Sequence, residues 1–193
     1  MATSAAASSP GTADDDLRTV LLLLNVQRGL LLDPDTRIPG AEPYRPRIIH
    51  LRNSGEAGEP DEEGTASWGL VPLHDAAAPA GSAALPAGEV VVDKKKSNAF
   101  TVLEEMISPD VEIVVVGVLS EYSVKSTIKA ALGRGNSVIL MHGAHGTYPH
   151  VELANNGNVT PAEKIAAQVE EELDLAGAMV LDMELLPNLF EGR

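Results

Sequence analysis

The sequence predicts an α/β fold, a single-domain three-layer αβα arrangement built on a six-stranded parallel sheet, and three observations lead there. Six short apolar runs lack the strict alternation of a half-exposed strand, as strands buried on both faces do. Segments with helical periodicity lie between several of them, the pattern of strands joined by crossovers. The chain has 193 residues, 44% hydrophobic and 22% charged, which suits one globular domain.

Residues 1–17 are rich in Ala, Ser and Thr and run into Asp14, Asp15 and Asp16. Such a segment buries too little apolar surface to offset chain entropy, so a disordered tail is expected, with residues 18–193 forming the domain. The first strand is Val20–Asn25. The crossover that follows holds Pro34, Pro39, Pro43 and Pro46, so its helix is expected to be missing and part of one sheet face uncovered. The second strand is Ile48–Arg52. Ser54–Gly88 reads as a long loop whose large aromatic is Trp68, with the run Glu59–Glu63 as a solvated face.

Glu89–Asp93 is the third strand. A helix over Ala99–Ile107 places Phe100, Leu103, Met106 and Ile107 on one face and stops at Ser108-Pro109. Glu112–Gly117 is the fourth strand, and Tyr122–Leu132 aligns Val124, Ile128, Ala131 and Leu132 before Gly133 and Gly135. Ser137–Met141 is the fifth strand. Asn155-Asn156-Gly157-Asn158 marks a turn. Thr160-Pro161-Ala162-Glu163 has the form of a capping box, and Ile165, Val169 and Leu173 follow at helical spacing before Gly177. Glu170–Asp174 reads as a second solvated run, and Ala178–Asp182 is the sixth strand.

A net charge of −14 repels a phosphate backbone, and one Trp, three Tyr and two Phe make poor stacking platforms, which excludes nucleic-acid partners. The longest apolar run, Val20–Leu24, falls far short of the roughly 20 residues of a membrane helix. No basic-then-apolar secretory pattern opens the chain, so a reducing, cytoplasmic location is expected. Cysteine is absent, which rules out disulfides, thiolate zinc sites and a cysteine nucleophile.

In a doubly wound sheet, ligands bind beyond the carboxyl ends of the strands. The residues there are Asn25 and Gln27, Arg52 and Asn53, Lys94 to Lys96, and Leu119 to Ser123. Each alone fits a strand-end residue turning to water. Their order says more. Leu-Leu-Asn25-Val-Gln27, then Lys94-Lys95-Lys96-Ser97-Asn98-Ala99-Phe100, then Gly117-Val118-Leu119-Ser120-Glu121-Tyr122-Ser123-Val124, resembles the isochorismatase-like cysteine hydrolase superfamily, from Val20 to about Asp182 with gaps. In that family the first strand ends in Asp-x-Gln, a Lys precedes a Ser-Ala-Phe-like helix start, and Gly-x-x-Thr leads into a helix that begins with the nucleophilic Cys. Asn25, Lys94 and Ser123 fall on the Asp, Lys and Cys positions.

The resemblance implies hydrolysis of a small amide or vinyl-ether substrate, with backbone N–H groups at Leu119 and Ser120 forming an oxyanion hole and a non-proline cis peptide at Leu119–Ser120. It also implies substrate contacts from Gln27, Trp68 and Tyr122, although Trp68 serves equally well as cover for the bare sheet face. Two of the three catalytic types are changed. Asn25 is no carboxylate base, and the Ser123 hydroxyl is far less acidic than a thiol. Weak or lost activity is therefore expected, the alternative being an inactive binding or assembly protein of the same fold, with an incomplete gene product as a third reading. No cofactor or metal is expected. His142-x-x-His145 with His150 lacks a carboxylate at ligand spacing, and the loop that binds metal in related nicotinamidases here carries Arg52, Asn53 and Ser54. The partners expected are a small molecule and further copies of the chain, since relatives associate and an uncovered sheet face favours it.

Overall fold

The computed structural model describes residues 19–24, 47–71, 89–152, 157–186 and 189. Within them the six apolar runs are strands of one sheet: β1 (Thr19–Leu24), β2 (Arg47–Asn53), β3 (Glu89–Lys94), β4 (Glu112–Val118), β5 (Val138–Gly146) and, last in the chain, β8 (Met179–Asp182). Their order is β3-β2-β1-β4-β5-β8, and every pairing is parallel. The strand order switches between β1 and β4, which lie side by side with Leu24 opposite Gly117. That is where an open parallel sheet forms its ligand crevice.

Strand side chains alternate between two buried faces, which is why the runs carry no polar alternation. Val20, Leu22, Ile49, Leu51, Ile113, Val115, Val138 and Leu140 face one way, toward α1 (Phe100–Leu103), α2 (Lys125–Arg134) and α3 (Ala162–Leu175). Leu103, Ile128, Val169 and Leu173 are the helix residues that meet them. Leu21, Val114, Val116, Ile139 and Met141 face the other way, where Leu186 packs, with Met183 and Leu189 beside it. The tail at 1–17, the proline-rich first crossover, Asn25 and Gln27 lie outside the described residues.

Several elements differ from expectation. α1 ends at Leu103 instead of Ile107, although the Met106 and Ile107 N–H groups still turn back to the Leu103 carbonyl and Phe100, Leu103 and Ile107 share the buried face. β5 runs on to Gly146, and its register against β4 slips between Val115 and Gly117, so that Gly117 lies opposite His145. Gly117 has φ +119 at that slip, a conformation that a side chain would resist. The capping box does not form. Thr160 ends a short strand, β7 (Asn158–Thr160), which pairs antiparallel with β6 (His150–Glu152), and its hydroxyl donates to Glu152 Oε1 at 2.8 Å. Pro161 is thereby the cap residue of α3, its carbonyl accepting from the N–H groups of Lys164 and Ile165.

Leu140 sits in the middle of β5 with no exposed surface. Leu140→Ala is expected to cost about 2 to 5 kcal/mol, seen as a lower urea midpoint with an unchanged slope.

Candidate functional site

Lys94 closes β3 opposite Asn53, the last residue of β2. It is a cation with 1% of its surface exposed. Its Nζ lies 3.2 Å from Ser123 Oγ, 3.3 Å from the Lys96 carbonyl oxygen and 3.4 Å from Asn53 Oδ1. An ammonium has three N–H donors, and these are three acceptors. The side chains of Lys95 and Lys96 are exposed, so the lysine cluster sends one member inward. Burial pushes Lys94 down to about 8, against an opposing pull from the Asp61 charge.

Asp61 belongs to the acidic run expected to be solvated, yet it is 7% exposed. The correction has a local cause. After β2 the chain doubles back, with the Ser54 N–H donating to the Lys94 carbonyl at 2.8 Å and the Gly55 N–H to the Asp61 carbonyl at 3.0 Å. A Cβ on Gly55 would stand 2.3 Å from Asp61 Oδ1, so glycine is what lets the carboxylate in. There Asp61 Oδ2 accepts from Asn53 Nδ2 at 2.7 Å. A carboxylate only accepts, which fixes the Asn53 amide with its nitrogen toward Asp61 and its oxygen toward Lys94. Asn53 was one of several strand-end candidates in the sequence, and Asp61 was hidden among its acidic neighbours.

Ser123 reaches Lys94 because β4 opens directly into a wide turn, Ser120–Val124, at the head of α2. The Val124 N–H donates to the Leu119 carbonyl at 3.1 Å, a π-type bond, and the Tyr122 N–H donates to the same oxygen at 3.2 Å. Ser123 is 6% exposed. The cis peptide is Val118–Leu119, one residue before the expected Leu119–Ser120. β4 holds its ladder through Val118, opposite Gly146, and Leu119 already belongs to the turn. One helical turn beyond Ser123, Thr127 accepts from the Ala99 N–H at 3.1 Å and donates to the Ser97 carbonyl at 3.3 Å. That hydroxyl ties the segment after Lys94 to the helix that carries Ser123.

A second chain of bonds fastens the other side of the turn. Glu170 on α3 accepts from His145 Nε2 at 2.9 Å and from His142 Nδ1 at 2.8 Å. Burial pushes the His145 pKa down, so its free Nδ1 accepts from the Ser120 hydroxyl at 2.9 Å. Exposed His142 moves the opposite way, raised by its bond to Glu170. Ser120 has no exposed surface, so this Ser-His-Glu series holds the turn and presents no nucleophile. Glu121 Oε1 meets His150 Nε2 at 2.7 Å and the Thr147 hydroxyl at 2.7 Å.

The remaining candidates are more dispersed. Tyr122 is half exposed, its ring centroid 6.3 Å from that of His150. Trp68 lies under the Arg52 guanidinium, 3.4 Å from its ring centroid, and Asp93 holds that guanidinium through both carboxylate oxygens. This puts Trp68 at the strand ends that supply Asn53 and Lys94. What the structure brings together is therefore a buried amine and a hydroxyl, beyond the carboxyl edge of the sheet, with a carboxylate one residue removed from the amine.

The isochorismatase domain model matches residues 37–161, a span that includes Lys94 and Ser123 and begins after Asn25. Two streptothricin hydrolases of Streptomyces noursei are 37% and 33% identical to the chain over 119 residues, 60% of its length. The chain spans less than half of those relatives, the match covering 44% and 40% of their lengths. Among solved structures, a cysteine hydrolase from Pseudomonas syringae pv. phaseolicola superposes with a TM-score of 0.71 at 16% identity, over 91% of this chain and 93% of that one. At that identity the likeness is one of fold.

Two stability predictions follow from the geometry. Lys94 has a depressed folded-state pKa, so its stabilising contribution is present above 10.5 and is lost as pH falls through about 8. The stability difference between the wild type and Lys94→Met is expected to shift in favour of the wild type as pH climbs from about 8 to 10.5, read as melting temperatures across that window. Thr127→Val leaves the Ala99 N–H without its acceptor, and is expected to cost about 1 to 3 kcal/mol in chemical unfolding.

Proposed function

Because the chain belongs to the isochorismatase domain family, we propose that it is a hydrolase of a small amide, acting where Lys94 and Ser123 meet. The observation that carries this reading is the 3.2 Å approach of buried Lys94 Nζ to Ser123 Oγ beyond the carboxyl ends of the strands. Ser123 is the nucleophile, and the turn at Leu119 and Ser120 supplies backbone N–H groups to the developing oxyanion. Gln27, Trp68 and Tyr122 contact the substrate. An amide fits better than a vinyl ether, because Ser123 offers a nucleophile and Asn25 offers no carboxylic acid for protonation. The relatives named streptothricin hydrolases make streptothricin the first substrate to try.

Asn25 and Ser123 stand where the resembled family has Asp and Cys, so turnover is slow. The same two residues support a second reading, a protein that binds such a substrate without cleaving it. We further propose that residues 18–193 act as one cytoplasmic domain that associates with copies of itself.

Steady-state assays with streptothricin and simple carbamoyl amides test the site. Turnover is expected well below the usual 1 to about 10³ per second, with Ser123→Ala removing it down to a small remnant. Asn25→Asp combined with Ser123→Cys should raise the rate far more than either change alone, since a base and an acidic nucleophile act as a unit. An ordinary rate that survives Ser123→Ala would place the chemistry elsewhere, and tight binding with no turnover by any variant would favour the binding reading.

A further inference from the structure

We propose that Lys94 is the general base for Ser123, a serine-lysine dyad that Asn53 and Asp61 hold in register. This deepens the hydrolase reading and rests on it. The argument is one of donors and acceptors. As an ammonium, Lys94 fills its three contacts by donating to Asn53 Oδ1, the Lys96 carbonyl and Ser123 Oγ. As a neutral amine it keeps two N–H groups and gains a lone pair, so all three contacts are kept only if one of them turns around and donates. A carbonyl oxygen cannot do so. The Asn53 oxygen cannot either, and the amide cannot flip its nitrogen toward Lys94 without giving up the bond to Asp61 at 2.7 Å. Ser123 is the one contact of the three that carries a proton on the contacting atom. Deprotonation of Lys94 therefore leaves a nitrogen lone pair 3.2 Å from Ser123 Oγ, to which the Ser123 O–H can donate.

The environment makes the neutral amine accessible. Lys94 is almost fully buried, and burial brings it down to about 8. Among the described residues, Asp61 is the charged group that opposes this shift, acting from behind Asn53, while the side chains of Lys95 and Lys96 are exposed. An amine of this kind is a much stronger base than a carboxylate, which is what a hydroxyl nucleophile requires.

In the reaction, the Ser123 proton passes to Lys94 as Oγ bonds to the acyl carbon and the carbonyl electron pair moves onto oxygen. Collapse of that intermediate breaks the carbon-nitrogen bond, and the leaving amine takes its proton from the Lys94 ammonium. Water then attacks the Ser123 ester, giving its proton to neutral Lys94. Release of the carboxylic acid returns that proton to Ser123 Oγ. Asn53 and Asp61 are positioning residues throughout.

The test uses the full chain and p-nitrophenyl acetate as acyl donor, with nitrophenolate release followed against pH and the acetyl group located by peptide mass spectrometry. The acetyl group is expected on Ser123, with the acylation rate rising through a midpoint near 8. Asp61→Asn removes the charge that supports the ammonium, so the midpoint should move to lower pH, a shift that loss of packing alone would not give. Lys94→Met and Lys94→Arg should each lower acylation by roughly 10² to 10⁴-fold, the arginine variant despite keeping its charge. Acetylation of Ser123 that persists in Lys94→Arg, or a midpoint that Asp61→Asn leaves in place, overturns the dyad and leaves the hydrolase site standing. Acetylation elsewhere, or none at any pH, overturns both.

Discussion

An ammonium buried beneath the carboxyl edge of a parallel sheet is the constraint that organises this protein. A lysine nitrogen taken out of water must find acceptors for every N–H or give up its proton. Three parts of the chain, far apart in sequence, supply those acceptors to Lys94: the end of β2, the loop after β3 and the turn after β4. Each needs its own support. Asp61 orients Asn53, Thr127 fastens the loop after Lys94 to α2, and Glu170 reaches through His145 to hold Ser120 at the start of the turn. Strand order matters as much, because β2 and β1 lie between β3 and β4 and the lysine reaches across to a helix seated on the same edge.

The six strands and the face of α3 were legible because they rest on a single signal, the burial of apolar side chains. Val114 and Val115 point to opposite faces and both are buried, so a run such as Glu112–Gly117 could be little else than a central strand. Lys94 and Ser123 were legible as candidates through the order of motifs along the chain. Asp61 was not, since an acidic residue among acidic residues normally faces water, and its burial depends on a doubling back of the loop around Gly55. The β6 and β7 pair leaves no signature in the sequence, because three-residue strands carry no measurable period. The capping box failed for a related reason. Thr160 is committed to that strand pair, and the pairing outweighs the local cap.

The chemistry of the site follows from which charges are present. A serine hydroxyl holds its proton too firmly for a carboxylate to remove, so Ser123 has use for a stronger base than the resembled family employs. Residue 25 is a neutral Asn. Among the described residues, the carboxylate that acts on Lys94 is Asp61, set back behind the Asn53 amide, which steadies the cation. The lysine is left in a range where both protonation states are populated near neutral pH, which is what proton transfer in both directions demands.

The protonation of Lys94 itself is the most direct measure of this account. Carbon-13 labelling of the lysine side chains and NMR titration from pH 6 to about 11 report each ε-carbon separately, with Lys94 assigned by its disappearance in Lys94→Arg. The account predicts one ε-carbon titrating near 8, as burial dictates, and moving lower in Asp61→Asn. A Lys94 resonance that titrates with the solvent-exposed lysines, near the ordinary value of about 10.4, would contradict it.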